Sequence, residues 1–206
     1  MTQLRKRVTF LTLLIGGIIA FVLEISPTCR KQSIIQPLQH VQGDILDSLD
    51  GVYVYYNGSV SNVSGRNLSE DGYNLGLKYQ CVEFVKRYYY EHFKHKMPDS
   101  YGHAKSFFKA GVEDGELNPD RGLTQFTQGS KTSPEVGDLL IFDGHRLNPY
   151  GHVAIVSQVE EDRVEMIQQN PGPTAPSREW ISLTIDEGKI SLDRSDCLGW
   201  LRKTSR

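Results

Sequence analysis

The sequence predicts an α+β domain in which N-terminal helices pack on one side of an antiparallel sheet. Residues 79–95 carry apolar side chains at i, i+3/i+4 and i+7/i+8, which predicts an amphipathic helix. From residue 138 onward the pattern changes to short apolar runs separated by turn residues, which is typical of strands. Because the helical signal comes first and the strands follow, we expect the helices to cover one face of a single sheet.

The remaining elements are predicted from local composition. Residues 52–56 have strong strand propensity, residues 57–72 read as a loop, and a second short helix is predicted over residues 103–112. Further strands are predicted over residues 138–142, 151–158, 164–169, 180–185, 189–192 and 198–202.

The composition excludes several function classes. The chain has 206 residues, 38% of them hydrophobic, so it can bury a sizeable core and is not disordered overall. Its 23 basic and 25 acidic residues give a formal net charge of -2, which argues against nucleic acid as a partner. The three cysteines, Cys29, Cys81 and Cys197, are too few and too scattered for a disulfide framework or a structural zinc site.

A basic tripeptide, residues 5–7, precedes an uncharged apolar run over residues 8–23. Sixteen helical residues span about 24 Å, slightly less than a hydrocarbon core. Three interpretations stay open: a cleaved signal peptide, an uncleaved membrane anchor with its basic end in the cytoplasm, and lipid attachment at Cys29. Each one places the remainder outside the cytoplasm, in the periplasm or the extracellular space.

We therefore divide the chain into three parts. Residues 1–28 are a signal peptide or anchor, residues 29–50 a linker, and residues 51–206 the functional domain. Without residues 1–28 the net charge falls to -4, because three basic residues and Glu24 are lost.

Cys81 is the candidate nucleophile. It stands at the start of the predicted helix, where the helix dipole and free backbone N–H groups stabilise an anion. The alternative is a buried cysteine that only fills space. His152 follows Gly151 at the leading edge of a predicted strand, so it is a candidate base, with an exposed loop histidine as the alternative. A cysteine at a helix N-terminus and a histidine on a strand are the usual parts of a thiol hydrolase, and we expect a stable thiolate–imidazolium pair.

Such a pair needs a third group that orients the imidazole. If residues 153–158 and 164–169 form a hairpin, Gln168 lies beside His152 on the same face. Glu165 is a weaker candidate because it would lie on the opposite face of the strand from Gln168. A polar strand end without a catalytic role is the alternative.

Five sequence blocks resemble one family. These blocks are QCVEFVKR from Gln80, PEVGDLLI from Pro134, GHVAI from Gly151, Gln169-Asn170 and Leu198-Gly199-Trp200. In order and spacing they resemble the CHAP family (cysteine, histidine-dependent amidohydrolase/peptidase), and within it the amidase domain of glutathionylspermidine synthetase/amidase.

The resemblance implies a papain-like fold and hydrolysis of an amide or peptide bond through a thioester, with neither metal nor cofactor. It implies Cys81 as nucleophile and His152 as base and then acid. The substrate-binding residues that it implies are Gln80, Lys86, Gly102, Ala104 and Asn170. Lys86 stands where the family has an arginine, and Gln168 stands where the amidase relatives have a glutamate.

Three functions stay open. The export pattern favours cleavage of peptidoglycan, in stem peptides or at the glycan–peptide amide. The local resemblance favours an amidase for glutathionylspermidine-like conjugates, which are cytoplasmic metabolites. The glutamine at position 168 favours a binding module without activity.

Overall fold

The computed structural model describes residues 40–172 and 175–204. Within these ranges the chain forms twelve strands, one α-helix and one short 3₁₀ helix. The elements are β1 (Ile45–Leu49), β2 (Val52–Tyr55), β3 (Arg66–Leu68), β4 (Asn74–Leu77), α1 (Cys81–Glu91), the 3₁₀ helix (Ala104–Phe107), β5 (Glu116–Asn118), β6 (Leu123–Thr127), β7 (Leu139–Phe142), β8 (His152–Val159), β9 (Arg163–Ile167), β10 (Arg178–Asp186), β11 (Lys189–Leu192) and β12 (Cys197–Arg202).

One eight-stranded sheet dominates the fold. Its strand order is β11-β10-β9-β8-β7-β12-β6-β5, and all neighbouring strands are antiparallel. Strand β12 therefore lies between β7 and β6, although more than fifty residues separate it from β7 along the chain. Two hairpins, β1–β2 and β3–β4, form separate two-stranded sheets.

The sheet buries both of its faces, because side chains alternate along each strand. On β8, Val153 and Ile155 belong to a core that also contains the apolar side of α1. Ala154 and Val156 belong to a second core around Trp200. Strands β7 and β8 are therefore continuous apolar runs, as expected for strands buried on both faces.

Helix α1 is buried on more than its apolar side. Phe84 and Val85 are fully buried against the sheet, in the core that also contains Val52 and Val54 of β2. The charged Glu83, Lys86 and Arg87 are also buried, and each makes hydrogen bonds. Buried charges are costly unless they are bonded, so these three residues identify a region where polar interactions fix the helix.

The predicted fold class is wrong. Strands make up 39% of the described residues and helices 9%, so the domain is mostly β with one α-helix rather than several helices packed on a sheet. The error came from residues 103–112, of which only Ala104–Phe107 form one 3₁₀ turn. Backbone N–H groups that a helix would use bond elsewhere: that of Lys105 donates to the Tyr150 carbonyl (3.0 Å) and that of Lys109 to Gln125 Oε1 (2.9 Å).

Five short strands were not predicted. Strand β1 lies within the predicted linker and β3 within the predicted loop. The other three are β4, β5 and β6. The predicted apolar segment 8–23 and Cys29 lie outside the described residues. Within residues 40–172 and 175–204, no helix is long and apolar enough to span a membrane.

Candidate active site

Cys81 is the first residue of α1, and its side chain is half-buried. Burial raises the pKa of its thiol to about 11, while the backbone N–H groups of Val153, Val82 and Cys81 itself oppose that rise. The Val153 N–H belongs to the peptide unit that follows His152. The structure therefore places the sulfur against the main chain beside the candidate base.

His152 is the first residue of β8. Burial lowers the pKa of its imidazole to about 4, and the hydrogen bond to Gln168 only partly offsets this effect. An imidazole with such a pKa is neutral at pH 7 and is able to accept a proton.

Gln168 fixes the tautomer of that imidazole. Its Nε2 donates to the Pro176 carbonyl (3.1 Å), so its Oε1 must face His152 Nε2 at 2.9 Å. Since Oε1 only accepts hydrogen bonds, Nε2 of His152 carries the proton and Nδ1 carries the free lone pair. Within the part of the chain that the structure describes, Nδ1 makes no hydrogen bond, so it is available as a base.

Phe142 and Arg194 complete the surroundings of the imidazole. The Phe142 ring stacks on His152 with 6.3 Å between centroids, and the Arg194 guanidinium lies 4.7 Å from the Phe142 centroid. The Arg194 charge lowers the pKa of His152 further, whereas Asp196, which pairs with Arg194 at 2.8 Å, raises it. Arg194 was not predicted from the sequence, because no local pattern connects it with position 152.

Gln80 and Asn170 contact each other next to the nucleophile. Asn170 Nδ2 donates to Gln80 Oε1 (2.8 Å) and to the Val60 carbonyl (3.0 Å). Gln80 Nε2 donates in turn to the Asn62 carbonyl (2.9 Å). The structure thus brings together two of the residues predicted to bind substrate, and their amides join the 57–62 loop to the start of α1.

A buried network lies beneath this pair. Gln169 is fully buried; its Nε2 donates to the Gln80 carbonyl (3.0 Å) and to Glu83 Oε2 (2.9 Å), and its Oε1 accepts from the Tyr55 N–H (2.7 Å). Glu83 also pairs with Arg87 at 2.7 Å. Glu83 and Arg87 were not predicted from the sequence, although their i, i+4 spacing on one helix was a usable signal.

The other three residues predicted to bind substrate lie on α1 and in the segment around the 3₁₀ helix. Lys86 is 1% exposed and donates to the backbone carbonyls of Asn74 and Ser100 (2.7 Å for Ser100), so its ammonium is held by carbonyls of the protein itself. Gly102 lies in an exposed turn and Ala104 begins the buried 3₁₀ helix. Lys86 therefore belongs to α1, whereas Gly102 and Ala104 belong to the segment at the start of the 3₁₀ helix.

Glu165 is not the partner of His152. Its Oε2 accepts from Ser157 Oγ (2.7 Å) and from Arg178 Nη1 (2.8 Å). On the sheet it lies opposite Gln158, well along β8 from its first residue. The neutral amide of Gln168 is therefore the group that orients the imidazole.

A cavity of about 190 Å³ lies beside Gln168 and Asn170. Its apolar walls include Leu46, Tyr55 and Tyr56, and neither Cys81 nor His152 lines it. It therefore adjoins the orienting residue rather than the nucleophile. Among residues 40–172 and 175–204, no three His, Cys, Asp or Glu side chains are grouped as metal ligands.

The model of the CHAP domain matches residues 71–170, a range that contains Cys81, His152 and Gln168.

Several individual relatives are similar to part of this chain. A bifunctional glutathionylspermidine synthetase/amidase from Escherichia coli (strain K12) is 30% identical over 150 residues, which cover 68% of this chain and 24% of that protein. A trypanothione synthetase and a glutathionylspermidine synthase from Crithidia fasciculata are 30% and 31% identical over 107 and 139 residues, 52% and 62% of this chain. The chain matches no more than 24% of the length of these relatives.

Proposed function

Since residues 71–170 belong to the CHAP domain family, we propose that this chain is a cysteine-dependent amidohydrolase. The single observation that carries the proposal is the chain of hydrogen bonds from the Pro176 carbonyl through Gln168 to His152 Nε2. It leaves Nδ1 of His152 unprotonated, and the main chain that continues from His152 contacts the Cys81 sulfur.

In the first step, the Cys81 thiol gives its proton to Nδ1 of His152 as the sulfur attacks the carbonyl carbon of the amide. A C–S bond forms and the carbonyl oxygen becomes negatively charged. The backbone N–H groups at the start of α1 are suited to hold that oxyanion, because the helix dipole adds to their partial positive charge.

In the second step, the imidazolium gives its proton to the amide nitrogen and the C–N bond breaks. An amine leaves, and the acyl group stays on Cys81 as a thioester. His152 then removes a proton from water, hydroxide attacks the thioester carbonyl, and the C–S bond breaks. The products are a carboxylic acid and the regenerated thiol.

The resting protonation state differs from the one expected from the sequence. Burial raises the pKa of Cys81 to about 11 and lowers that of His152 to about 4, so both groups are neutral at pH 7. We therefore propose a thiol beside a neutral imidazole as the resting state, in place of the stable thiolate–imidazolium pair expected from the sequence. Proton transfer then accompanies the attack on the substrate.

For the substrate we propose the amide bonds of peptidoglycan, with stem peptides as the first choice. Support comes from residues 5–23, whose basic and apolar pattern is typical of an exported or membrane-anchored protein. In this proposal the domain acts outside the cytoplasm, and residues 8–23 attach it to the membrane unless they are cleaved.

A glutathionylspermidine-like amide is the second candidate. The observation that favours it is the name of the Escherichia coli relative, which includes an amidase of that type. The acidic balance of the chain beyond residue 28 also favours a cationic polyamine product over an anionic stem peptide.

The test is incubation of residues 30–206 with purified peptidoglycan and, separately, with glutathionylspermidine, followed by mass analysis of the products. We expect new amine and carboxyl ends in peptidoglycan fragments. Cys81→Ala and His152→Ala should each reduce the rate by several orders of magnitude.

The outcomes separate the candidates. Cleavage of glutathionylspermidine alone would select the second candidate. No product from either substrate, together with retained binding to peptidoglycan, would favour a binding module without activity. A rate that His152→Ala leaves unchanged would remove His152 from the mechanism.

A further inference from the structure

Two cations, Lys86 and Arg121, are buried in the domain at 1% exposure each. Among the described residues neither forms a salt bridge within 4 Å. Burying a charge without a carboxylate partner is costly in free energy. The hydrogen bonds that these side chains make must therefore offset that cost.

Both cations bind the same segment, residues 99–106. Lys86 Nζ donates to the Ser100 carbonyl at 2.7 Å. Arg121 donates to the carbonyls of Asp99 (2.6 Å), Tyr101 (3.1 Å) and Ser106 (3.2 Å). Four carbonyls of one eight-residue segment are thus held by two positive charges.

Glycine at position 102 belongs to this arrangement. Its φ is +112°, and a Cβ there would lie 2.4 Å from Ser106 Oγ and 3.1 Å from Arg121 Nη2. The turn can close over the guanidinium only because residue 102 has no side chain.

The segment packs directly against the residue before His152. The Lys105 N–H donates to the Tyr150 carbonyl at 3.0 Å. A Cβ on Gly151 would lie 2.9 Å from Lys105 Cβ and 2.4 Å from the Phe142 carbonyl, so the main chain at 151 is enclosed between the segment and β7. Gly151 in turn is bonded to His152.

We propose that Lys86 and Arg121 are positioning residues: they clamp residues 99–106 against Gly151 and thereby fix where the His152 imidazole stands relative to Cys81. The inference rests on the proposed function, because it takes His152 to be the base. It replaces the substrate-binding role expected for Lys86, whose ammonium contacts the protein's own carbonyls.

The test compares Lys86→Met with Lys86→Arg and with the control Lys109→Met. Methionine keeps the length of the side chain but removes the donors, whereas arginine restores charge and donors. Lys109 pairs with Asp120 at the surface (2.8 Å) and makes no contact with a carbonyl of the clamped segment, so its loss should be silent.

We expect Lys86→Met to lower kcat roughly ten- to hundredfold with KM nearly unchanged, because a small misplacement of the base slows the chemical step rather than binding. The His152 ring signals should shift in the NMR spectrum, and the Lys105 amide should exchange faster with solvent. Lys86→Arg should recover most of kcat and both NMR readouts.

Arg121→Lys provides a second variant if Lys86→Met does not fold. It keeps the charge but loses the planar guanidinium that spans three carbonyls. We therefore expect the same changes in kcat, in the His152 ring signals and in Lys105 amide exchange. A folded Lys86→Met or Arg121→Lys protein with unchanged His152 signals, Lys105 exchange and kcat would overturn the proposal. The NMR readouts need no substrate, so a failure of the proposed activity would leave them as an independent test.

Discussion

Gln168 decides which nitrogen of His152 carries the proton, and it does so with an uncharged amide. A carboxylate at that position would stabilise the imidazolium through its charge, whereas the amide orients the ring and adds little stabilisation. Burial lowers the pKa of His152 to about 4, and the hydrogen bond to the Gln168 amide offsets only part of that effect.

Gln168→Glu should raise the pKa of His152 by one to three units or so, because the carboxylate favours the charged ring. We expect turnover to be retained or increased, and stability to fall slightly because the second carboxylate oxygen would face the Pro176 carbonyl. NMR titration of the His152 ring in a Cys81→Ala background measures the pKa, with Cys81→Ala alone as the reference. Complete loss of turnover in the single variant would show that the amide has another role.

Cys81 should react with iodoacetamide faster than Cys197 near neutral pH. Burial raises the pKa of Cys197 to about 12, against about 11 for Cys81, and Cys197 is only 7% exposed. Because burial raises the pKa of both thiols, the greater exposure of Cys81 decides which of them reacts first. Mass spectrometry of labelled peptides follows each cysteine separately; equal and slow labelling of both would contradict a role for Cys81.

The residues of the site were more predictable than their surroundings. The positions of Cys81 and His152 at the starts of regular elements were predictable, and so was the contact between Gln168 and His152, because side chains alternate between faces along a hairpin. Arg194 and Arg121 were missed because their roles depend on contacts between distant segments, which no local spacing encodes. Lys86 was assigned to substrate by resemblance, and only its hydrogen bonds to backbone carbonyls revealed the different position.

At the scale of elements, the strands of the C-terminal half were predictable and the second helix was not. Apolar runs such as residues 139–142 predict buried strands, and the turn residues on either side predict where those strands begin and end. Strands of three to five residues in glycine-rich surroundings carry too little pattern to be detected, as β4 shows with the sequence NLGL. Residues 103–112 fail as a helix because tertiary hydrogen bonds take the N–H groups that a helix needs.

The junction between the 99–106 segment and β8 is the element that we expect to be most sensitive to substitution. Gly151→Ala adds a Cβ that would lie 2.4 Å from the Phe142 carbonyl, which the sheet holds in place. We expect a loss of about 2–3 kcal/mol in the free energy of unfolding and a large fall in turnover.

Gly188→Ala is the matched control, because its φ of +76° equals that of Gly151 (+75°) within a degree but nothing lies within 4 Å of the added Cβ. The backbone strain is then common to both variants. The difference between their free energies of unfolding, measured by chemical denaturation, therefore gives the cost of crowding the added Cβ at position 151. Equal losses would mean that the enclosure of Gly151 has no energetic consequence.

At the scale of the whole molecule, the neutral His152 makes stability depend on pH. Its pKa is about 4 in the folded protein and about 6.5 when unfolded, so the unfolded chain binds more protons between these values. The contribution is fully present above pH 6.5 and is lost as the pH falls toward 4. At most about 3.5 kcal/mol is involved, from roughly 1.4 kcal/mol per pKa unit.

Urea denaturation at pH 7.5 and pH 4.5 measures this effect, with His152→Gln as the comparison. The wild type should lose more stability on acidification than His152→Gln does, since the variant lacks the titrating group. Parallel losses in the two proteins would assign the acid sensitivity to other groups.

The central place of β12 has a consequence for biogenesis. Strands β6 and β7 are separated by the last strand of the described chain, so neither half of the sheet can join the other until residues 197–202 have been synthesised. The contacts that close the fold are also far apart in sequence, which slows folding. The eight-stranded sheet is therefore completed only after its central strand has been synthesised.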